Sequence, residues 1–197
     1  PPNGQGVIAL MLLNIMSGVD KYGDQPLALD RIHHEIEAGR IAYRDRNLYL
    51  ADPKFSAVPV DQMLSANYAT AIREQINPEK AHSELPATTL PPHKHTVYIS
   101  VVDKDRNACS FINTVFHSFG AGLMAPNSGI VLQCRGQGFV VDPGHPNCIA
   151  PGKRPLHTII PGIATKDGKT VMSFGVMGGE YQAFGHMQFL TRLLDYG

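Results

Sequence analysis

Charge is scarce in this sequence and balanced where it occurs. Lysine plus arginine number 17 and aspartate plus glutamate 17, so the net charge is zero and charged residues make up 17% of the chain. No basic stripe, acidic tail or interleaving of basic with aromatic residues is present. That removes the electrostatic basis for a nucleic-acid partner or a membrane surface. The longest apolar run, Val7 to Met16, is broken by Asn14 and is too short to cross a bilayer. No basic n-region opens the chain, so no signal peptide is expected. An initiator Met is also missing, and the true beginning is expected to lie upstream.

Cysteine is short as well. Cys109, Cys134 and Cys148 are odd in number and form no CxxC, so neither a disulfide framework nor a zinc knuckle is expected. Reduced thiols tilt the compartment towards the cytoplasm, with a periplasmic or secreted setting left open. The phosphate-loop patterns GxGxxG and GxxxxGK[ST] are absent, as is the GxSxG elbow of serine hydrolases. No internal repeat is found. His33 and Glu37 have the one-turn spacing of a ligand pair, but nothing joins them. His33, His34, Glu35 and Glu37 therefore read as a solvated polar face, and neither metal nor cofactor is expected.

What remains is an apolar fraction of 43% in 197 residues, enough for one domain or two small ones. Residues 1–6 read as a loop and Val7 to Val19 as a buried helix, stopped at Lys21-Tyr22-Gly23-Asp24. A long helix is expected from Pro26 to about Leu50, on the spacing of Leu29, Ile32, Ile36, Ile41 and Leu48. A third helix is expected from Asp61 to Ile76, stopped by Asn77-Pro78. Residues 77–95 hold four prolines without periodicity and read as a linker. Strand-like sequence follows: Thr96 to Val102, a turn at Lys104-Asp105-Arg106-Asn107, and a return strand from Ala108 to Phe116. A short run at Gly129 to Leu132 comes next. Two more strands are expected, His157 to Ala164 and Thr170 to Gly175, then a glycine turn at Val176-Met177-Gly178-Gly179 and a helix from His186 to Leu194. Helices first and hairpins after argue for an α+β or layered fold.

Three features have the right chemistry for a site, each with a plainer alternative. Thr96 directly follows the linker. A threonine hydroxyl is a poor nucleophile, but an N-terminal threonine can use its own α-amine as base, since a free α-amine titrates at about 7.7–8.0. The plainer reading is a β-branched residue opening a strand. Gly178-Gly179 can aim unobstructed backbone N–H groups into a cavity, as an oxyanion hole needs; alternatively it is a tight turn before a helix. Pro151-Gly152-Lys153-Arg154-Pro155 is a rigid loop with two cations, read as a surface turn rather than an anion site.

The order of these pieces is more specific than any one of them. Thr96-Val97-Tyr98-Ile99-Ser100-Val101-Val102-Asp103-Lys104-Asp105-Arg106-Asn107-Ala108 is followed by Phe119-Gly120-Ala121-Gly122 and Asn127-Ser128-Gly129-Ile130-Val131-Leu132. Pro151-Gly152-Lys153-Arg154-Pro155 and Gly178-Gly179 come after. Together with Ala42-Tyr43-Arg44-Asp45-Arg46 and Tyr49-Leu50-Ala51-Asp52-Pro53 upstream, this order resembles the γ-glutamyltransferase family of N-terminal-nucleophile hydrolases over essentially the whole chain. The resemblance implies a fragment of a four-layer αββα sandwich. Residues 1–95 would be the C-terminal part of a large subunit and 96–197 the N-terminal part of a small, catalytic one, both from one precursor cut at His95–Thr96. Thr96 would be the nucleophile and, once cut, carry the α-amine base. Thr114 would orient it, and Gly178 and Gly179 would form the oxyanion hole.

The substrate-binding positions depart from the family pattern. Gly138 stands where an acidic residue usually binds the substrate's α-amine, Phe116 where an asparagine follows the orienting threonine, and His157 and Thr158 where consecutive serines hold the α-carboxylate. Without that acidic residue a buried substrate ammonium would be unpaired, at a cost of several kcal/mol. Arg135 and His157 instead favour an acid-bearing acyl group without an α-amine, as in the cephalosporin- and glutaryl-acylase-like branch. The expected activity is a self-processing amidohydrolase or acyltransferase that passes its acyl group to water or to an amino acid or peptide. Since part of each subunit would lie outside these residues, the 197-residue chain alone is expected to be inactive and marginally stable. The alternative is a catalytically silent relative with a structural or small-molecule-binding role, which would remain uncut.

Overall fold

The computed structural model describes residues 3–20, 23–84 and 95–197. Its elements are α1 (Gly6–Met16), α2 (Leu29–Tyr49), α3 (Val60–Met63), α4 (Ala66–Gln75), β1 (His95–Val102), β2 (Ala108–Phe116), β3 (Gly162–Lys166), β4 (Lys169–Phe174) and α5 (Gln182–Tyr196). The fold class is α+β, as expected. Residues 85–94 of the expected linker, including Pro91-Pro92-His93-Lys94, lie outside the described residues, as do Pro1, Pro2, Lys21 and Tyr22.

α1 is the central rod. Val7, Ile8, Ala9, Met11, Leu12, Ile15 and Met16 are buried on one wide face, while Leu10 on the opposite side is exposed. α2, α4 and α5 pack on it. Each fully buried aliphatic side chain contributes roughly 1.5–3 kcal/mol, so this helical layer holds most of the core. α2 and α5 approach closely at Gly39, where an added Cβ would stand 2.8 Å from the Phe184 ring.

The expected helix Asp61 to Ile76 is two helices. The chain breaks at Leu64–Ser65, where the Ser65 side chain accepts from Tyr68 N at 3.1 Å and caps α4. A serine four residues inside a periodic stretch competes for the backbone in this way. The polar face expected to be solvated on α2 is instead buried at its carboxylates. Glu35 and Glu37 are 0% and 1% exposed. Glu35 pairs with Arg31 and Arg192, Glu37 with Arg40 and the His82 N–H. His33 Nε2 lies 2.7 Å from the Asn77 carbonyl, so the two residues at metal spacing face different partners. Among the described residues no cluster of three or more metal-ligating side chains occurs.

Among the described residues the strands form two separate two-stranded antiparallel sheets, β1–β2 and β3–β4. Side chains join them: the Tyr98 hydroxyl lies 3.0 Å from Ser173 Oγ and 3.1 Å from Ser110 Oγ. The Tyr98 ring covers Gly175, where a Cβ would come within 2.3 Å of it. The strand expected from His157 begins only at Gly162. Residues upstream follow the N-terminal segment instead, through a parallel bridge between Gly4 and His157. The Gly129 to Leu132 run supplies a single bridge, Val131 to Met124, rather than a strand. α5 starts at Gln182, earlier than the expected His186, because a 3-10 turn at Gly179–Tyr181 leads into it.

Candidate active site

β1 runs continuously through His95 and Thr96, so the structure is that of the uncut chain. Its register with β2 is irregular at the mouth of the hairpin. His95 pairs with Phe116 and Val97 with Asn113, which leaves Thr96 facing both Thr114 and Val115. Such a bulge re-aims side chains and is frequent beside active sites. Thr96 Oγ1 stands 3.4 Å from Thr114 Oγ1. This is longer than a usual hydroxyl hydrogen bond of about 2.8 Å, as is common before a site is fully assembled. Thr114 Oγ1 accepts from Phe116 N at 3.0 Å, which fixes its rotamer and suits donation from Thr114 to Thr96.

Phe116 ends the strand with φ 78° and is buried. The Arg135 guanidinium carbon lies 3.6 Å from the centre of its ring. Arg135 is 4% exposed and donates from Nη2 to Thr158 Oγ1 at 3.1 Å. Its Nε is buried without a partner, and no carboxylate pairs with it among the described residues. Burial lowers its pKa to about 10, so it stays cationic at neutral pH. His157 lies beside this cation. Burial first, and Arg135 second, push it down to about 4, so it is neutral at pH 7. Its Nδ1 accepts from Ile159 N at 3.3 Å, which places the ring hydrogen on Nε2. The structure thus brings Arg135, Phe116, His157 and Thr158 together, with Arg135 as their only charge. Gly138, on the same 3-10 turn as Arg135, receives the Asn147 side-chain amide on its carbonyl at 2.6 Å.

Gly178 and Gly179 have φ of 127° and 56°, conformations that side chains disfavour. Gly178 O accepts from Tyr181 N at 3.1 Å and Gly179 O from Gln5 Nε2 at 2.9 Å. Among the described residues neither glycine N–H donates to a protein acceptor. Tyr98, on the Thr96 face of β1, shares one cleft with Gly175, Val176 and Tyr181, which ties the hairpin to the glycine turn.

The residues behind the turn carry no motif of their own. Gln5 Oε1 accepts from Arg46 Nη1 at 2.9 Å. Arg46 also pairs with the Glu180 carboxylate and stacks on Tyr43, whose hydroxyl donates to the Glu180 carbonyl. Residues 1–6 read as a plain loop because a glutamine's role depends on what surrounds it. Only the cluster Tyr43-Arg44-Asp45-Arg46 stands out in the sequence. The Lys153–Arg154 loop is no open anion site. Arg154 binds the Asp52 carboxylate through N, Nε and Nη2 at 2.9, 3.1 and 2.8 Å, and Lys153 Nζ donates to Pro146 O at 2.7 Å.

The chain superposes on cephalosporin acylase from Bacillus halodurans with a TM-score of 0.88 and 43% identity, over 100% of this chain and 35% of that one. That match sets the fold among the N-terminal-nucleophile hydrolases. The sequence matches the gamma-glutamyltranspeptidase family over residues 1–197, and the chain belongs to that family. It is 36% identical over 197 residues to the glutathione hydrolase-like YwrD proenzyme of Bacillus subtilis, covering 100% of this chain and 37% of the relative. It is 38% identical over 210 residues to the glutathione hydrolase proenzyme of Pseudomonas sp. strain A14, covering 100% and 36%. The chain thus spans little more than a third of the length of these relatives.

Proposed function

We propose that this chain carries the processing junction and much of the catalytic centre of an amidohydrolase that cuts itself at His95–Thr96. The 3.4 Å approach of Thr96 Oγ1 to Thr114 Oγ1 at the bulged mouth of the hairpin carries the reading. Residues 1–95 belong to the large subunit and 96–197 to the small one. In the uncut chain the nitrogen of Thr96 is an amide and cannot act as a base. Cleavage converts it to an α-amine, which takes the proton from Oγ1 as the oxygen attacks the substrate carbonyl. Thr114 donates to Oγ1 and holds it in line. The tetrahedral oxyanion is held by the Gly178 and Gly179 N–H groups, which have no protein acceptor to release first. The leaving amine takes the proton, and an acyl-threonine ester remains. Water, or the amine of an amino acid or peptide, then takes the acyl group.

The acyl group favoured is one that ends in a carboxylate and lacks an α-amine. Arg135 is the observation behind this: a buried guanidinium without a counter-ion costs several kcal/mol, which an incoming carboxylate offsets. Nothing acidic stands at Gly138 to receive an ammonium. The names of the relatives include both acylase and glutathione hydrolase activity, so the test compares the two. Full-length protein is assayed with glutaryl- and γ-glutamyl-p-nitroanilide. Higher kcat/KM on the glutaryl compound is expected, and a preference for the γ-glutamyl compound would overturn the acyl assignment. A catalytically silent protein is the second reading, favoured only by the departures at Phe116, Gly138, His157 and Thr158; turnover of either anilide excludes it.

A further inference from the structure

We propose that Gln5 is a positioning residue of the glycine turn, anchoring its carbonyl end at Gly179 and so limiting where the turn can aim its N–H groups, and coupling it to the acyl-binding pair His157–Thr158. The proposal rests on reading Gly178–Gly179 as the oxyanion hole.

Two adjacent glycines at positive φ have more conformational freedom than any other residue pair. Their peptide planes take a fixed direction only if bonds outside the pair impose it. Gly178 O is held locally, by Tyr181 N. Gly179 O accepts locally from Gln182 N and also, from the far end of the sequence, from Gln5 Nε2 at 2.9 Å, the bond that ties the turn to another segment.

The same Gln5 nitrogen donates to Thr158 O at 2.9 Å, so both of its hydrogens are used. The orientation of the amide is forced. Arg46 can only donate, so the Gln5 oxygen must face it at 2.9 Å and the NH₂ must face the two carbonyls. Gln5 and Arg46 are 0% and 1% exposed, so no water competes for these bonds.

The backbone at this point is equally committed. Gln5 N donates to His157 O at 2.9 Å and His157 N to Asn3 O at 2.6 Å. On the other side Gln182 Oε1 accepts from Ile160 N at 3.1 Å. Residues 3–5, 157–160 and 179–182 are therefore one clamp, with Gln5 reaching all three segments. The acyl group would be gripped by one part of this clamp and its carbonyl polarised by another. A fixed distance between the two parts lets binding of the acyl end orient the reacting end.

Two variants of the full-length protein test this. Gln5→Met keeps length and volume but cannot donate. Gln5→Glu keeps the acceptor for Arg46 and, as a carboxylate, loses both donors. With the better of the two anilides as probe, kcat falls at least tenfold in both variants while KM changes less than threefold. That split marks a group whose effect is felt in the transition state. Gly178→Ala is measured beside them. If Gly178→Ala loses kcat and either Gln5 variant, folded by its melting curve, keeps wild-type kcat, the role of Gln5 is wrong. If kcat and KM worsen only in step with a lowered Tm, Gln5 is merely structural and the proposal again fails. If Gly178→Ala itself keeps full kcat, it is the oxyanion-hole reading that falls, and the proposal falls with it.

Discussion

The Arg135 guanidinium carbon lies over the Phe116 ring, 3.6 Å from its centre, and Phe116 pairs across the sheet with His95. Phe116 thus touches, through its ring, the one buried cation without a counter-ion among the described residues and, through its backbone, the proposed cleavage junction. This contact underlies the proposed preference for an acid-bearing acyl group. Arg135→Leu is expected to raise KM for a glutaryl amide about ten- to hundred-fold, from a charged hydrogen bond worth about 1.5–3 kcal/mol. KM for a neutral acyl amide should hardly change. Tm should hold or rise, since an apolar side chain replaces a buried unpaired charge. Steady-state kinetics on both amides, with a melting curve, check this.

Gly175 matters for the direction of β1. The Tyr98 ring sits where a Cβ would be, at 2.3 Å. Gly175→Ala should push the ring away and break the Tyr98–Ser173 bond. Overpacking of this kind costs about 1–3 kcal/mol. Thr96 lies on the same face, so appearance of the cut product on a gel should slow in this variant relative to wild type.

Much of the helical core and both hairpins were legible because their periodicities are strong and uninterrupted. The α3–α4 break was not, since Ser65 acts as a cap only once Tyr68 N lies within reach. The burial of Glu35 was hidden for a related reason. Arg31 is a local partner one turn earlier on α2, but Arg192 and Gln188 come from α5 at the far end of the chain, and a carboxylate beside histidines on a helix reads as solvated without them. Thr96, Thr114 and the glycine pair are proposed as a site from motif order. The bulge that aims Thr96, and the Gln5–Arg46 support, exist only as three-dimensional pairings.

Acid should weaken the fold through Asp52. Its hydrogen bonds from the Arg154 side chain hold the carboxyl well below the usual range. A depressed carboxyl stabilises the folded state fully above its unfolded pKa of about 3.9 and loses that contribution as pH falls through the lower folded value. Asp52→Asn should therefore lower Tm at pH 7, and the gap to wild type should narrow only below about pH 4. A pH series of melting curves on both proteins measures it.

His186 gives a second, milder acid window. It is 2% exposed, its ring lies 5.1 Å from that of Phe174, and burial pushes its pKa down to about 4. The unfolded chain takes up its proton near pH 6.5, so this contribution is complete above that pH and declines towards pH 4. At about 1.4 kcal/mol per pKa unit the loss reaches about 3 kcal/mol. His186→Phe should flatten the dependence of stability between pH 6.5 and 4, as read from urea melts across that range.

The nucleophile itself is tested by the mass of purified full-length protein after incubation, with N-terminal sequencing of the fragments. Wild type should give two chains, the second beginning Thr96-Val97-Tyr98, and Thr96→Ala should give one uncut chain without amidase activity. A single uncut wild-type chain, or a new N-terminus elsewhere than Thr96, would contradict the assignment of Thr96.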